Sequence, residues 1–431
     1  MKSYESLLNE NKRVFILTSS GGAGHLTATE ALKQQILEKH QNAKIWVYDV
    51  MMGSSWNLVG RIGIFIWNFS QKKGRVKAQE KLVSLQKFAE YMWPQIFFKV
   101  LYALIFYKAE RIIDTQPVAT GAAVKAVRIY NWLFKKKIIF EKVFVDLPTE
   151  KNTHFYMGIK KLSEKDKQVL QVYTLPPLTL ERQSEKDFWH KHCNLEMDKI
   201  DYDHYPIRKS FLKLQKQSFK NKQIHLEIET KSSLEKKLIS TCLDRFQMVY
   251  ENTMDGFSFD ISFKTIVITI LLGSQAAEKG TLDYTKAIIE YAQKHLEKSF
   301  ILFVYTGKMK KEKGLLKKMI CLLKSIPRFS ENIQIVPMTF QKEIVIAKLF
   351  KRSDVTITRS GAQTIMELAT VSEGLNLIHS ETHVQEPVFS DLVQGIPLWE
   401  GGNALYFIQK KGGDLVSPPQ ICEKLDRYLA I

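Results

Sequence analysis

The sequence predicts an α/β protein made of two lobes, each built around a parallel β-sheet. The apolar run from Arg13 to Ser20 leads into the glycine turn GGAGH, and a helical pattern and the strand from Lys44 to Val50 follow it. A second apolar run, from Thr265 to Ser274, opens another succession of helices and strands, which includes the strand from Val355 to Thr358. Strand, glycine turn, helix and strand make one unit of a parallel sheet. Each half of the chain therefore predicts a sheet of its own.

The length of the chain fits two domains of ordinary size. The 431 residues exceed one compact domain, and an apolar share of 45% is sufficient for each half to bury a core. Residues 212–264 are rich in Lys, Gln and Glu, which predicts a charged linker with one or two solvated helices. The predicted parts are an N-terminal lobe (1–211) that carries an aromatic and basic insert (54–107), the linker (212–264), a C-terminal lobe (265–405) and a tail (406–431).

The net charge of +18 indicates a polyanionic partner. It arises from 63 Lys and Arg against 45 Asp and Glu, and it suits nucleic acid, an anionic membrane face or a phosphorylated substrate. A general enrichment of lysine in the source proteome is the alternative explanation. We expect no nucleic-acid partner, because nucleic-acid binding accounts for the charge and not for the glycine turns.

The insert has two interpretations. Its aromatic stretches, Trp56 to Phe69 and Met92 to Tyr107, are either an apolar patch that sits on an anionic membrane or core helices with a solvated charged face. The basic neighbours favour the membrane interpretation. They are Arg61, Lys72, Lys73, Arg75, Lys77 and Lys99.

Cysteine usage and the absence of targeting signals predict a cytoplasmic protein. The four cysteines stand singly, without the spacing of a zinc site or a disulfide framework, so we expect a reducing compartment. No apolar core precedes residue 14 and no apolar run reaches 18 residues, so we expect neither a signal peptide nor a membrane span. Association with a membrane is then expected to be peripheral.

The first motif with chemical meaning is the glycine loop of Gly21, Gly22, Gly24 and His25, where a strand ends and a helix begins. Glycines allow a ligand to approach the backbone, and the helix N-terminus offers free N–H groups to an anion. The alternative is a tight turn with a capping histidine.

The second motif, TRSGAQTIMELA, follows the strand that ends at Thr358. Ser360 and Gly361 can present backbone N–H groups to a diphosphate at the start of the next helix. Glu367 can accept hydrogen bonds from a ribose diol, as acidic residues do in nucleotide sites. The alternative is a structural helix with an incidental glutamate.

Six segments occur in an order that points to one family: GGAGH, PIRKSF, LLGSQ, VYTGK, RSGAQTIMELA and EGGNA. In these segments the chain resembles the inverting glycosyltransferases that include the lipid II N-acetylglucosaminyltransferase and the monogalactosyldiacylglycerol synthases. The resemblance covers nearly the whole chain outside the linker. It implies the GT-B type of fold, two Rossmann-like lobes with a cleft between them.

The resemblance also implies roles for single residues. His25 is the candidate base, with an imidazole expected to titrate near neutral pH, and Asp146 is the second choice. Two departures are Trp399, where the family commonly has glutamine, and the LGSQ turn in place of a double-glycine turn. The donor-binding residues implied by the resemblance are Gly273 and Ser274 in the turn over the donor, Arg359, Ser360, Gly361, Ala362 and Thr364 around the diphosphate, Glu367 at the ribose, and Glu400 and Asn403 near the sugar hydroxyls.

The expected function is transfer of a hexose, with inversion, from a nucleotide-diphosphate sugar of the UDP type to a lipid or membrane-associated acceptor. We expect no cofactor and no metal, because no Asp-x-Asp cluster stands at a strand end and Arg359 with helix N-termini can carry the leaving-group charge. The expected partners are the nucleotide sugar and an anionic membrane surface or lipid. The alternatives are a soluble protein acceptor, a sugar-nucleotide epimerase or hydrolase, and an inactive module that binds nucleotide or anionic lipid.

Overall fold

A computed structural model describes most of the chain as two compact units, and it confirms the predicted α/β class with two parallel sheets. The first unit comprises Met1–Asn68, Lys77–Lys209 and Leu398–Asn403, and the second comprises Phe69–Val76, Ser210–Pro397 and Ala404–Ile431. The described residues are 13–21, 23–52, 57–84, 93–117, 120–181, 183–219, 222–246, 248–308, 314–326, 330–383 and 388–429.

The first unit is built on a six-stranded parallel sheet with the order β2-β1-β3-β4-β5-β6. The order reverses between β1 and β3, which creates a topological switch point at the carboxyl ends of these two strands. The strands are β1 (Arg13–Thr18), β2 (Lys44–Asp49), β3 (Arg111–Asp114), β4 (Phe140–Val143), β5 (Leu170–Tyr173) and β6 (Ile200–Asp201).

Helices flank this sheet, and none of the helices in the described ranges is long and apolar enough to cross a bilayer. The helices up to residue 193 are α1 (Ala23–Lys39), α2 (Asn57–Lys72), α3 (Val76–Ser84), α4 (Trp93–Ile105), α5 (Thr120–Phe134), α6 (Met157–Lys160), α7 (Glu164–Lys167) and α8 (Glu185–Cys193). The next helix, α9 (Lys209–Gln215), belongs to the second unit apart from Lys209.

Helix α4, from the second aromatic stretch of the insert, belongs partly to the core. Ile96, Val100 and Leu104 recur every four residues on a buried face, as an amphipathic helix requires. Trp93 and Phe98 lie on the exposed side. The core interpretation therefore describes one face of α4, and the other face remains available to a partner.

The second unit is built on another six-stranded parallel sheet, with the order β12-β11-β10-β13-β14-β15. This is the strand order of a dinucleotide-binding Rossmann sheet, and it places a switch point between β10 and β13. The strands are β10 (Ile266–Leu271), β11 (Phe300–Tyr305), β12 (Ile333–Met338), β13 (Val355–Thr358), β14 (Leu375–His379) and β15 (Asp414–Val416). The helices are α10 (Ser233–Arg245), α11 (Glu278–Lys294), α12 (Leu315–Ser325), α13 (Glu343–Arg352), α14 (Ala362–Val371), α15 (Phe389–Gly395), α16 (Gly401–Lys411) and α17 (Ile421–Leu429).

The segment expected to be a linker, 212–264, instead forms part of the second unit. It contains an antiparallel sheet of β7 (Ile224–Glu229), β8 (Glu251–Asn252) and β9 (Gly256–Ile261), together with α10. Along β7 the residues alternate between buried and outward-facing. An antiparallel sheet can leave one face in water, so a strand of this kind is rich in charged residues and its composition resembles that of a linker.

Strand β3 was not predicted from the sequence, because charged residues begin and end it. Arg111 and Asp114 are both buried, and each forms an ion pair with a residue of β4. Arg111 pairs with Glu141 at 2.5 Å, and Asp114 pairs with Lys142. The pairing allows four charged groups to lie inside a parallel sheet, where composition alone predicts only apolar residues.

Candidate functional site

The glycine loop lies at the switch point of the first sheet. The strand β1 ends at Thr18, the N–H of Gly21 donates to Ser19 Oγ at 3.3 Å, and α1 begins two residues later. Gly24 and His25 therefore occupy the first turn of α1. Gly22 lies outside the described residues.

Threonine hydroxyls fix the start of α1 to the ends of β1 and β3. Thr29 Oγ1 donates to the carbonyl of His25 at 2.8 Å and lies 3.1 Å from Thr115 Oγ1. Thr115 Oγ1 in turn lies 3.2 Å from the carbonyl of Leu17, to which it donates. The position of His25 is thus set by two strands and one helix.

His25 is a weaker base than the sequence suggests. Its ring is partly buried, and Nδ1 has no hydrogen-bond partner among the described residues. Burial, together with the charge of Lys142, lowers the pKa of His25 to about 4. The expectation of an imidazole that titrates near neutral pH is therefore corrected, because the ring is neutral throughout the physiological range.

Lys142 belongs to a buried network that the sequence analysis missed. Its Nζ donates to Asp114 Oδ2 at 3.1 Å and to the carbonyl of Gln116, and Thr120 Oγ1 donates to Asp114 at 2.9 Å. Burial raises the pKa of Asp114 and lowers the pKa of Lys142, while their mutual attraction opposes both shifts. The sequence does contain a signal for this network, because Lys142 interrupts the otherwise apolar segment IIFEKVFV, residues 138–145, next to Glu141.

Asp146 lies three residues beyond β4, which ends at Val143. Asn403 Nδ2 donates to Asp146 Oδ1 at 3.2 Å, and Asn403 Oδ1 accepts from the N–H of Leu147 at 2.9 Å. A single amide side chain therefore holds both the carboxylate and the backbone beside it.

The protonation of Asp146 is tuned by its surroundings. Burial and the negative charge of nearby Glu400 raise the pKa of Asp146 to about 7, against the opposing hydrogen bond from Asn403. A carboxyl group in this state is neutral below neutral pH and ionised above it. Pairs of interacting carboxylates of this kind occur at sites that transfer protons.

Glu400 and Asn403 were expected within the C-terminal lobe, near the donor sugar. The structure instead groups residues 398–403 with the first unit, and it engages Asn403 with Asp146. Gly402 permits this contact, because a Cβ at this position would come within 2.4 Å of Thr149 Cγ2. Composition placed the boundaries of the predicted lobes, and it cannot predict a contact between residues as distant in sequence as Asp146 and Asn403.

Trp399, the residue that departs from the family pattern, packs on an aromatic residue of the insert. Its ring centroid lies 5.5 Å from that of Trp67 on α2, and the ring planes are inclined by 31°. Trp399 is buried. The contact with Trp67 therefore gives Trp399 a structural role.

The loop that follows Asp146 is held rigidly by its own side chains. Asn152 Nδ2 donates to the carbonyl of Leu147 at 2.8 Å, and Asn152 Oδ1 accepts from the N–H of Thr149 at 2.9 Å. The hydroxyl of Tyr156 lies in the same buried network. This second layer of hydrogen bonds limits the freedom of the backbone that carries Asp146.

In the second unit, three strand-end turns meet at the switch point. Gly273, after β10, has a φ of +80°, and Arg359 Cδ would lie 3.6 Å from a Cβ at this position. Gly307, after β11, has a φ of +74°, and a Cβ at this position would lie 3.6 Å from the carbonyl oxygen of Ser274. Thr358 Oγ1 donates to the carbonyl of Leu271 at 3.0 Å, which joins the ends of β13 and β10.

The predicted diphosphate loop is placed at the N-terminus of α14. No side chain caps this end at Gly361, and the space into which a Cβ would project is open. Ala362 and Thr364 lie in the first turn, and Ser360 is buried next to it. A helix start without a side-chain cap suits an anion, because the first backbone N–H groups of a helix have no partner within the helix.

Glu367 lies one turn further along α14 and is only 2% exposed. Its Oε1 accepts from Gln363 Nε2 at 3.2 Å, so a neighbouring side chain orients the carboxylate. Its role at a ribose remains a prediction. Within the described residues, no group of three or more His, Cys, Asp or Glu is arranged to hold a metal ion.

Residues 267–386 match the model of the family described as Glycosyltransferase family 28 C-terminal domain. The match covers less than a third of the chain and includes both the Gly273 turn and the Arg359–Glu367 loop. No curated protein has a significantly similar sequence.

Solved structures with similar folds align over most of the chain. MurG from Acinetobacter baumannii shares 13% identity over 97% of this chain and 91% of its own, with a TM-score of 0.42. The UDP-GlcNAc 2-epimerase from Methanocaldococcus jannaschii shares 12% identity over 97% and 92%, with a TM-score of 0.46. The UDP-GlcNAc 2-epimerase from Neisseria meningitidis, bound to UDP-GlcNAc, shares 13% identity over 97% and 99%, with a TM-score of 0.41. Likeness at this level carries no conclusion about activity.

The raised pKa of Asp146 predicts an effect of pH on stability. The neutral carboxyl group suits its site, so its contribution to the free energy of unfolding is present below the unfolded pKa near 3.8 and is lost as pH rises through about 7. Asp146→Asn, which keeps the shape and never ionises, should therefore gain stability relative to wild type between pH 4.5 and 8.5. Urea unfolding at a series of pH values measures the difference.

A second variant checks the cause. In Glu400→Gln protein the loss of stability should be smaller and should be complete at a lower pH, because one source of the raised pKa of Asp146 is gone. A difference between wild type and Asp146→Asn that stays constant over this pH range would contradict the assignment.

Proposed function

We propose that this protein is an inverting glycosyltransferase that uses a nucleoside-diphosphate sugar, with UDP as the expected nucleotide and a hexose as the expected sugar. The observation that carries the proposal is the family 28 match over residues 267–386, since it falls on the loops at the switch point of the second sheet. The activity requires a base for the acceptor hydroxyl and stabilisation of the diphosphate that leaves.

The second unit is proposed to hold the donor. The N–H groups at the start of α14 and the guanidinium of Arg359 would bind the diphosphate, and Glu367 would accept hydrogen bonds from the ribose hydroxyls. Negative charge builds up on the diphosphate as the anomeric C–O bond breaks. Helix dipoles and a fixed guanidinium stabilise such charge without reorganising in the transition state.

Asp146 is proposed as the general base, ahead of His25. The acceptor oxygen attacks the anomeric carbon on the face opposite the leaving group, while its proton passes to the carboxylate of Asp146. A base works best when its pKa lies near the working pH. The pKa of Asp146 is about 7, whereas protonation of His25, with a pKa of about 4, gives little driving force.

The acceptor is proposed to be a lipid or a membrane-associated molecule. Support comes from exposed apolar side chains on α4 and at the end of α5, where Trp132 is 69% exposed. Leu133 and Phe134 are also exposed, and Lys135, Lys136 and Lys137 follow directly. Aromatic residues next to lysines favour an anionic bilayer surface. This WLFKKK tip, residues 132–137, is a feature that the sequence shows by its composition, although no prediction above includes it.

A second candidate activity is hydrolysis or epimerisation of a sugar nucleotide. The proximity of Asp146 and Glu400 favours it, because a pair of neighbouring carboxyl groups can act as acid and base. Incubation of the protein with UDP-sugars in the absence of an acceptor distinguishes the two activities. An epimerised sugar, or hydrolysis as fast as transfer, would favour the second candidate.

Removal of the base should stop transfer and spare donor binding. Asp146→Asn is expected to lower the rate at saturating donor by about 100- to 10,000-fold, whereas His25→Gln should lower it much less. The rate of transfer of a radiolabelled sugar to membrane extracts measures both variants, with UDP binding as the control for folding. A larger loss in His25→Gln would return the role of base to the histidine.

Loss of the ribose contact should weaken nucleotide binding. Glu367→Ala is expected to cost about 1.5 to 3 kcal/mol, the usual value of a hydrogen bond to a charged group. Calorimetric titration with UDP measures the affinity, and the exposed Glu423→Ala serves as the matched control. Equal affinity in wild type and Glu367→Ala would remove Glu367 from the site.

The protein should sediment with vesicles that contain phosphatidylglycerol and remain free of vesicles made only of phosphatidylcholine. Lys135, Lys136 and Lys137 together are expected to contribute about 3 kcal/mol of this binding, since each lysine near an anionic surface contributes about 1 kcal/mol. The triple replacement by glutamine should therefore reduce sedimentation strongly, and raised salt should release the wild type.

The matched control for the apolar part of this surface is Leu296→Ser in the second unit, compared with Trp132→Ser. Both residues are strongly exposed, and only Trp132 is assigned to the bilayer. Equal sedimentation with neutral and anionic vesicles would show that the positive charge does not contribute to membrane binding.

A further inference from the structure

Helix α2 presents an apolar stripe to solvent. Ile62, Phe65, Ile66 and Phe69 occupy positions i, i+3, i+4 and i+7 and therefore lie on one face of the helix. Their side chains are between 42% and 66% exposed. A stripe of this kind normally faces a core or a partner.

The charge around α2 indicates what the partner is. Residues 57–84 contain six basic residues and a single acidic one, Glu80. The guanidinium of Arg75 lies 5.8 Å from the ring centroid of Phe69, so positive charge borders the stripe directly. An apolar stripe edged by basic side chains is complementary to an anionic bilayer surface.

The same helix contacts the segment that positions Asp146. Trp67 lies between the stripe residues in sequence, and its ring packs on Trp399 with 5.5 Å between the centroids. Trp399 is buried and immediately precedes Glu400. Glu400 raises the pKa of Asp146, and Asn403 donates a hydrogen bond to it.

We propose that α2 is a lipid-sensing element that regulates the Asp146 site through the Trp67–Trp399 ring pair. A bilayer that covers the stripe restricts the motion of α2. Because the rings of Trp67 and Trp399 are in contact, residues 398–403 are then restricted as well. The Asn403 amide is then held more firmly against Asp146. Binding can favour an ordered arrangement only as far as the bilayer prefers it to the others. This inference rests on the proposed function, since it takes Asp146 as the base.

Hydrogen–deuterium exchange tests the coupling without requiring activity. Vesicles of phosphatidylcholine and phosphatidylglycerol should slow amide exchange in residues 398–403 of the wild type by at least about fivefold. Trp67→Ala should remove this protection and still sediment with the vesicles, because the WLFKKK tip is unchanged. Trp67→Phe, which keeps a ring, should restore the protection.

The stripe itself is tested by Phe65→Ser, with the exposed Phe263→Ser of the second unit as the matched control. Phe65→Ser should lose the protection of residues 398–403, and Phe263→Ser should keep it. Protection that persists in Trp67→Ala, or that is absent from wild type bound to vesicles, would overturn the coupling and leave the proposed transferase activity intact. Protection that depends on protein concentration without vesicles would overturn it in favour of a second copy of the chain. Failure to bind vesicles at all would overturn both the membrane partner and the coupling.

Discussion

A charged group buried in a parallel strand is tolerated only when a neighbour compensates it, and this constraint shapes both ends of β3 in the first sheet. Arg111 is matched by Glu141, and Asp114 is matched by Lys142 and by hydroxyl and amide donors. Truncation of either partner would leave an uncompensated charge in the core. The two pairs therefore tie β3 to β4, and the pair of Asp114 and Lys142 lies at the carboxyl end of β3, on the side of the sheet where α1 starts.

Asp146 is the exception to this rule, and the exception indicates function. The charge that acts on it is that of another carboxylate, Glu400, and a neutral amide from Asn403 provides its hydrogen bond. An arrangement chosen for stability alone would place a cation there. The raised pKa is the price of a group able to take and release a proton near neutral pH.

The switch point of the second sheet is lined by glycine residues and backbone groups. There the ends of β10, β11 and β13 carry glycines or open backbone, and the side chains that surround them leave the start of α14 uncapped. Gly273 and Gly307 adopt positive φ values that other residues rarely reach. Backbone N–H groups at a helix start bind anions because their dipoles are fixed. The first sheet thus ends in acidic side chains with altered pKa values, and the second ends in a helix start without a side-chain cap.

The sequence by itself determined the class of the fold and the location of the loops. Apolar runs that end in glycine turns predict parallel strands and their carboxyl ends, because burial on both faces and tight turns impose these residue types locally. Its local patterns could not reveal β3 or the antiparallel sheet within 212–264, since paired charges and a solvated face disguise both. Tertiary structure alone decided the protonation of the candidate bases. The pKa values of His25 and Asp146 depend on burial and on Lys142, Glu400 and Asn403, which are distant in sequence and near in space.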